Sequence, residues 1–487
     1  MDGVGRGNLT APAAIRVGSA LSLRFFPLPG AIFLINLIRV PGMDITSQEA
    51  NLIGAAHDTL EPRPVAALPP AEPRLRRADR AQILLRPCAL EDLLPPDHPA
   101  RTVWELVCRW DLRGFLAKIR ARGETPGRPA TDPRIMVSLW LFAYTQGVSS
   151  GRELHRLCEE HDAYRWICGG VSVNSHMLTN FRVNHEAALD DLLTQMIAAL
   201  INKDLVSVER VASDGTRVRA GAGRNSFKTA EKLQECLKEA IAHVEALKQQ
   251  AEDPAMPLKR KKAIERGARE RVQRIEQAIE ENKKVQEAKA QQKEKASKHQ
   301  PAKTSTTDPL ARQMHMPDGG KAPGFNVQFG VDTGSRAIVG VDVTNAGSDV
   351  HESQPMREQV EERTEKKVLE HLVDGGYVGL ESIEQSAAAG TAIYAPVPKP
   401  RKEGADRYQP KKTDSEPVGE WRQRMGTPEA KAIYKERAST VETVNAECKT
   451  YRSLERILVR GINKVRCVAL WSALAYNFVH LAKHLVT

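Results

Sequence analysis

Three acidic residues are set apart by their surroundings. Asp214 closes an alternating, β-branched run from Leu205, Asp374 follows a second such run at Val368 to Val373, and Glu442 lies in a helical pattern opened by Thr427-Pro428. Gly215 follows the first aspartate and Gly375-Gly376 the second, so neither carboxylate has a bulky successor to shield it. Hard oxygen donors with open positions suit Mg²⁺. Phosphodiester cleavage must stabilise both an attacking and a leaving oxygen, and two cations about 3.5–4 Å apart can serve both. Three carboxylates suffice to hold such a pair. An Asp-Gly at a strand end is ordinarily just a turn, so the information lies in the combination.

The helix carrying Glu442 also holds Tyr434, Arg437 and Lys449. Glu442 and Lys449 are seven residues apart, within about 20° on an ideal helix, so one face presents an acid and a cation. A lysine so placed can pair with a phosphate, whereas the ordinary reading is a solvated side chain.

Five candidate strands must position these groups: Leu205–Asp214, Phe325–Val331, Ala337–Val343, Val368–Val373 and Thr391–Val397. The second and third are close enough for a hairpin, and the polar helical stretch Glu352–Lys367 precedes the fourth, so a mixed sheet with helical crossovers is expected. From 227 to 300 the series is interrupted by a charged stretch. It has apolar seams at Leu233, Leu237, Val244 and Leu247, and at Ile264, Ala268, Val272, Ile275 and Ile279. Asp253-Pro254 to Pro257 breaks it, giving an inserted helical hairpin with Lys259-Arg260-Lys261-Lys262 near its turn. That basic cluster is a solvated face or a phosphate contact.

Ahead of the strands, residues 81–203 are helical throughout, with Leu189, Leu192, Leu193, Met196, Ile197 and Leu200 on one stripe. Ser150 is expected to cap one helix and Ser175 a shorter one carrying His176, Thr179, Asn180 and Arg182. Short helices joined at Gly169-Gly170 are either a helix-turn-helix presenting His176 and Arg182 to DNA or plain packing helices. His155, Cys158, His161 and Cys168 have a spacing that zinc tolerates, although Cys158 belongs beside Leu154 and Leu157 on a helix face. Residues 1–80 mix Gly, Pro and Ala without a period and read as a poorly ordered extension and linker.

The 487 residues carry 71 Lys and Arg against 61 Asp and Glu, a net charge of +10 that favours a polyanionic partner. Seven cysteines without a Cys-x-x-Cys pair argue against both a disulfide scaffold and a zinc ribbon. The apolar run Gly30–Ile38 is far shorter than the ~20 residues that cross a bilayer. A cytoplasmic protein with no membrane partner is expected.

Taken together, Val211-Ala-Ser-Asp214-Gly-Thr, His371-Leu-Val-Asp374-Gly-Gly-Tyr377 and the set Tyr434, Arg437, Glu442 and Lys449 resemble the DDE transposases of bacterial insertion sequences, in the group with a Tyr-Arg-Glu-Lys signature. Between them, Asp308-Pro-Leu-Ala-Arg312, Gly324–Asp332 and Val343–Asp349 are similar to the same family's core. The likeness spans Arg86 to Ala475. It implies an α/β RNase H-like catalytic domain at 204–487, a mixed five-stranded sheet with flanking helices and the hairpin insert, behind an all-α DNA-binding domain at 81–203. It further implies two Mg²⁺ (or Mn²⁺) ions held by Asp214, Asp374 and Glu442, with DNA contacted by Tyr434, Arg437, Lys449, His176, Arg182, Lys259 and Arg260. The partners would be double-stranded terminal repeats and target DNA, near the bacterial nucleoid, with the protein acting as a homodimer. Competing readings are an inactive DNA-binding descendant and a coiled-coil interaction scaffold.

One departure bears on the arginine. The commonest signature leaves three residues between Arg and Glu, and here there are four, Ala438 to Val441. On a continuous α-helix Arg437 would point about 140° from Glu442, instead of about 40°. Either the helix is distorted near Ser439 or the arginine has another role.

Overall fold

The computed structural model describes residues 89–123, 128–249, 257–291, 301–400, 404 and 406–486. The expected extension at 1–80 and Cys88 lie outside them. The helical region contains α1 (Pro99–Arg109), α2 (Arg113–Leu116), α3 (Pro133–Thr145), α4 (Gly151–Glu160), α5 (Asp162–Cys168), α6 (Ser175–Val183) and α7 (Glu186–Ile201). Then follow β1 (Arg210–Arg219), β2 (Phe227–Lys228), α8 (Ala230–Gln249), α9 (Leu258–Gln291), β3 (Thr304–Ser305), β4 (Arg312–His315), β5 (Lys321–Asp332) and β6 (Ile338–Thr344). The chain continues with α10 (Ser353–Thr364), β7 (Glu370–Val373), α11 (Leu380–Ala388), β8 (Ala392–Tyr394), α12 (Glu416–Gly426), α13 (Pro428–Arg437), a π-helical turn (Ala438–Glu442), α14 (Thr443–Tyr451) and α15 (Ile462–Val486).

Local chemistry sets these boundaries. Pro133 opens α3 and Asp132 accepts from the Arg134 N–H. Ser150 caps α4 as expected, through the Glu153 N–H. At α6 the cap is Asn174, not Ser175: the Asn174 backbone is extended and its side chain accepts from Met177, while Ser175 is already helical. Gly169 and Gly170 take left-handed φ of 56° and 80° between α5 and α6, a conformation that favours glycine.

The sheet runs β4-β5-β1-β7-β8, with β6 also on β5. β1 is antiparallel to β5 and parallel to β7, and β7 is parallel to β8, so the sheet is mixed, as the connections require. Two expectations need correction. The first strand does not end at Asp214. Asp204 and Val208 adopt positive φ of 55° and 58°, which delays the strand to Arg210, and the twelve-residue β5 keeps a partner beside it as far as Arg219. The sheet has six strands rather than five: β4, Arg-Gln-Met-His, pairs with the start of β5 although its sequence has no β-branched residue.

Between β2 and β3, α8 and α9 pack against each other, burying Leu233, Ala240, Ala268, Ile275 and Ala278. Ile264, expected in that seam, is exposed. The base of the pair is fastened to the six-stranded sheet by Arg312 on Glu281 at 2.6 Å, and to the separate two-stranded sheet β2–β3 by Asn282 on Thr304 at 3.2 Å. Helix α15, apolar enough to bury Trp471, Leu474 and Ala475 completely, packs on β6 and on α3, α6 and α7. Asn477 clamps it to the sheet by exchanging two hydrogen bonds with the Ile338 backbone. No described helix is long and apolar enough to cross a membrane.

Candidate active site

The meeting of the two aspartates follows from strand register. In the parallel β1–β7 pair Ser213 stands opposite Val373, so the next residues, Asp214 and Asp374, emerge side by side from strands about 4.8 Å apart. Asp214 sits inside β1, opposite Phe329, and its side chain is mostly buried. Asp374 follows the last residue of β7 and accepts from the Gly376 N–H, which fixes the turn Gly375–Tyr377.

Glu442 is delivered by the π turn. In an i→i+5 turn the fifth residue along returns over the first, so the additional residue between Arg437 and Glu442 is absorbed and both side chains share a face. The sequence supports this wide turn. Thr440 and Ser439 hydroxyls donate to the Glu436 carbonyl at 2.8 and 3.0 Å, and Thr440 also reaches the Arg437 carbonyl at 3.1 Å, supplying donors where the α-helical ladder is interrupted.

The result is a single guanidinium among three acids. Arg437 Nη1 donates to Glu442 Oε1 at 2.5 Å, and its Nη2 lies 3.2 Å from Asp214 Oδ1 and 3.8 Å from Asp374 Oδ2. Arg437 is buried, whereas the Asp374 and Glu442 carboxylates are about half exposed, at 45% and 52%. Burial pushes the Asp214 carboxyl up to about 6; Asp374 and Glu442 push the same way, and Arg437 and a hydrogen bond from Asn445 oppose them. Burial works against the Arg437 charge, yet Asp214, Tyr434 and Glu442 together raise it above the ordinary guanidinium value. Tyr434, half-buried on the preceding turn, has its phenol raised by burial and by the same three acids, with Arg437 opposing. Lys449 is also partly buried; desolvation lowers its ammonium, Asp214 and Glu455 counteract, and it shares a cleft with Arg217 and Arg219.

Some supporting residues carry no simple sequence signal. Asn445 Nδ2 donates to Asp214 Oδ2 at 3.0 Å, and its own Oδ1 is buried without a partner. It lies three residues beyond Glu442, a helical spacing that would have placed it on the same face. On the opposite face of β1, Asp349 Oδ1 accepts from Asn326 at 2.5 Å and from Gln328 at 2.7 Å, and Tyr377 donates to Gln328 Oε1. This network ties the turn after Asp374 to β5. It also explains Gly215: a Cβ there would come within 2.5 Å of Asp349 Oδ1, 2.6 Å of Gln328 Nε2 and 2.8 Å of Asn326 Oδ1. The signal available was a pair of polar residues, Asn326 and Gln328, within an otherwise apolar strand.

The other expected contact residues stand elsewhere. His176 is exposed on α6, and Lys259 and Arg260 are exposed in the first turn of α9. Arg182 is not presented outward: it is buried, donates to the Ser149 carbonyl and lies over the Trp140 ring, which makes it a packing residue of the helical region. His161 caps α5 through Nδ1, and Cys158 and Cys168 share a thiol hydrogen bond. Among the described residues no three His, Cys, Asp or Glu side chains are drawn together closely enough to share one ion. The acidic trio is spaced around the Arg437 guanidinium instead.

Residues 88–184 match a transposase domain (DUF772), and residues 299–478 match a transposase DDE domain. No curated protein and no solved structure matches the chain. The two domain matches cover more than half of the sequence, and the second contains both Asp374 and Glu442. The chain belongs to the DDE transposases of insertion elements.

Proposed function

We propose that this transposase cuts DNA at the ends of its element and joins the freed ends to target DNA, using Asp214, Asp374 and Glu442 as the ligands of two Mg²⁺ or Mn²⁺ ions in an RNase H-like domain. The observation that carries this reading is the convergence of three carboxylates, from β1, from the end of β7 and from the π turn, on one cationic centre. The donor chemistry suits divalent metal once the Arg437 guanidinium gives way from among the acids: three hard oxygen groups, two of them half exposed, with the unpartnered Asn445 Oδ1 beside Asp214. When bound, the ions would supply charge stabilisation to the attacking and leaving oxygens.

The chain's own residues would do the rest. In the first step a water oxygen forms a bond to phosphorus while the bond to the 3′ oxygen breaks, and that oxygen leaves with a proton as the 3′-hydroxyl. In the second, the 3′-hydroxyl forms a bond to a target phosphorus, the target's own P–O3′ bond breaks, and the number of phosphodiesters is unchanged. Arg437, buried and fully charged, would hold the scissile phosphate close to the acids, with Tyr434 on the turn before it. Lys449, with Arg217 and Arg219 in the same cleft, would grip the strand leading from the site. The protein would bind two terminal repeats as a homodimer, with the exposed His176, Lys259 and Arg260 contributing to DNA affinity.

The test is Mg²⁺-dependent cleavage of DNA flanking the gene by the wild type and by Asp214→Ala, Asp374→Ala and Glu442→Ala. Cleavage should disappear in each variant while binding survives. Retained cleavage in all three would refute the assignment.

A further inference from the structure

A cavity rich in arginine lies at the base of the α8–α9 pair. The cavity, of about 230 Å³, is lined there by Arg271 and Arg274 of α9, by Thr306 and Thr307 after β3, and by Arg460 from the segment before α15. Arg271 and Arg274 are three residues apart and share one face of the helix. Arg460 reaches the same space from a distant part of the chain.

Three arginines line one cavity, Arg271 and Arg460 being exposed, and an anion joining them would relieve their mutual repulsion. The acids nearby do little to relieve this. Glu270 stands 4.0 Å from Arg274 and also pairs with Arg266, and the Arg274 Nε is buried with no partner. Asp308, the acid that senses Arg460, is buried and directs one oxygen to the Gly461 N–H at 3.2 Å. Among the described residues neither Arg271 nor Arg460 forms an ion pair.

The cavity is also held in shape from both sides. Ser305 Oγ accepts from the Thr307 and Asp308 N–H groups at 3.1 and 3.0 Å, and the Thr306 N–H donates to the Ser226 carbonyl at 3.0 Å. The Asp308 bond to Gly461 fixes the Arg460 segment, and Arg312 on Glu281 fixes α9. The fork of a guanidinium matches phosphate oxygens two at a time, and threonine hydroxyls supply further donors.

We propose that this cavity takes one backbone phosphate of the bound DNA. The chain links it to the cleft that holds Lys449. Lys449, Arg217 and Arg219 share a cleft, and the segment Glu455–Ile457 runs beside the end of β1, exchanging backbone hydrogen bonds with Arg219 at 3.2 and 2.9 Å just ahead of Arg460. A strand gripped at Lys449 and led along β1 would then reach the three arginines. The inference rests on the DNA-joining reading for its ligand but uses none of the acidic residues.

The experiment measures affinity for a duplex taken from the DNA flanking the gene, over a series of salt concentrations, for the full chain and for the triple variants Arg271→Gln/Arg274→Gln/Arg460→Gln and Arg271→Lys/Arg274→Lys/Arg460→Lys. Each phosphate neutralised contributes about 0.9 to the slope of log affinity against log salt. The glutamine variant should lose about 0.9 from that slope, and the lysine variant, which keeps the charges, should restore most of it. Inorganic phosphate titrated calorimetrically into the wild type and the glutamine variant forms the second arm. A glutamine variant that keeps the wild-type slope overturns the proposal. If it also loses heat of phosphate binding, the site takes free phosphate instead of DNA. A wild type without salt-dependent DNA affinity overturns the DNA reading itself and this inference with it.

Discussion

Replacing Arg437 by Ala removes the one cation common to the three acids. The loss can be sized from the exposure of each partner. Asp214 is mostly buried, and losing a charged hydrogen bond there costs about 1.5–3 kcal/mol. Asp374 and Glu442 are half in solvent, so their pairs contribute about 0–1 kcal/mol each. The sum, about 1.5–5 kcal/mol, narrows to about 2–4 kcal/mol because Asp214 can take up a proton when its counter-ion is gone, which trims the ~3–5 kcal/mol typical of breaking a buried pair. At roughly 2 °C per kcal/mol for a chain of this size, Arg437→Ala should melt about 4–8 °C below the wild type in EDTA.

Divalent cation changes the comparison. In the wild type a cation entering among the acids competes with the guanidinium charge, whereas in Arg437→Ala it supplies the charge that is missing. Mg²⁺ at about 100 times its dissociation constant adds about 2.7 kcal/mol to any protein that binds it only when folded. The variant should therefore gain more from a given Mg²⁺ concentration than the wild type, and its metal affinity, read by calorimetry, should be about tenfold higher or more. The assay is differential scanning fluorimetry with and without Mg²⁺. Equal melting in EDTA and equal Mg²⁺ shifts would show that Arg437 does not hold the acids together, and the electrostatic account of the site would fail.

Four further outcomes follow from particular contacts. Because burial raises the Asp214 carboxyl from 3.8 to about 6, the folded state holds its proton more tightly, so wild-type stability relative to Asp214→Asn should fall as pH rises from about 4 to about 6 and then level, by about 2–3 kcal/mol in all; urea titrations across that range would show it, and a flat difference would contradict it. Mg²⁺ affinity should weaken as pH falls through about 6, since only the ionised carboxylate is a useful ligand. Gly215→Ala should lower stability by about 1–3 kcal/mol, because the new methyl meets three polar atoms of the Asp349 network; an unchanged urea midpoint would mean that the network yields freely. Deleting Ser439 should convert the π turn to an ordinary α-helical turn with the Arg437–Glu442 pair intact, so DNA cleavage should survive within about tenfold, whereas deleting Ala446 in the regular helix beyond should abolish it.

Much of the fold was legible because its signals are local. The strands with β-branched alternation, the capped helices and the two packed helices α8 and α9 each carry their own pattern, and Asp374 at the end of β7 could be read from the run before it. What escaped has a non-local origin. The end of β1 is set by the length of its partner β5, which no window around Asp214 contains, and β4 exists only because the start of β5 lies beside it. Arg182 illustrates the same limit: a polar residue on a short helix reads as a surface residue until Trp140 and the Ser149 carbonyl are seen to enclose it. Asn445 and the Asp349 network are polar groups whose meaning comes only from the burial around them.

The π turn shows how a sequence irregularity and a site requirement resolve each other. Arg437 must face the same way as Glu442, or the guanidinium would leave the sheet and two aspartates would remain beside an acid with no cation between them. A regular helix with four intervening residues cannot meet that demand, so the chain has to widen its helix by one residue or lose the contact. Widening leaves carbonyls without their usual donors, and the residues placed there, Ser439 and Thr440, carry hydroxyls that reach back to the Glu436 carbonyl. Beyond the turn the helix resumes in the phase that puts Asn445 on Asp214 and Lys449 within reach of its charge. The irregular spacing thus belongs to the positioning of the acids, because Glu442, Asn445 and Lys449 meet Arg437 and Asp214 only in the phase that the turn sets.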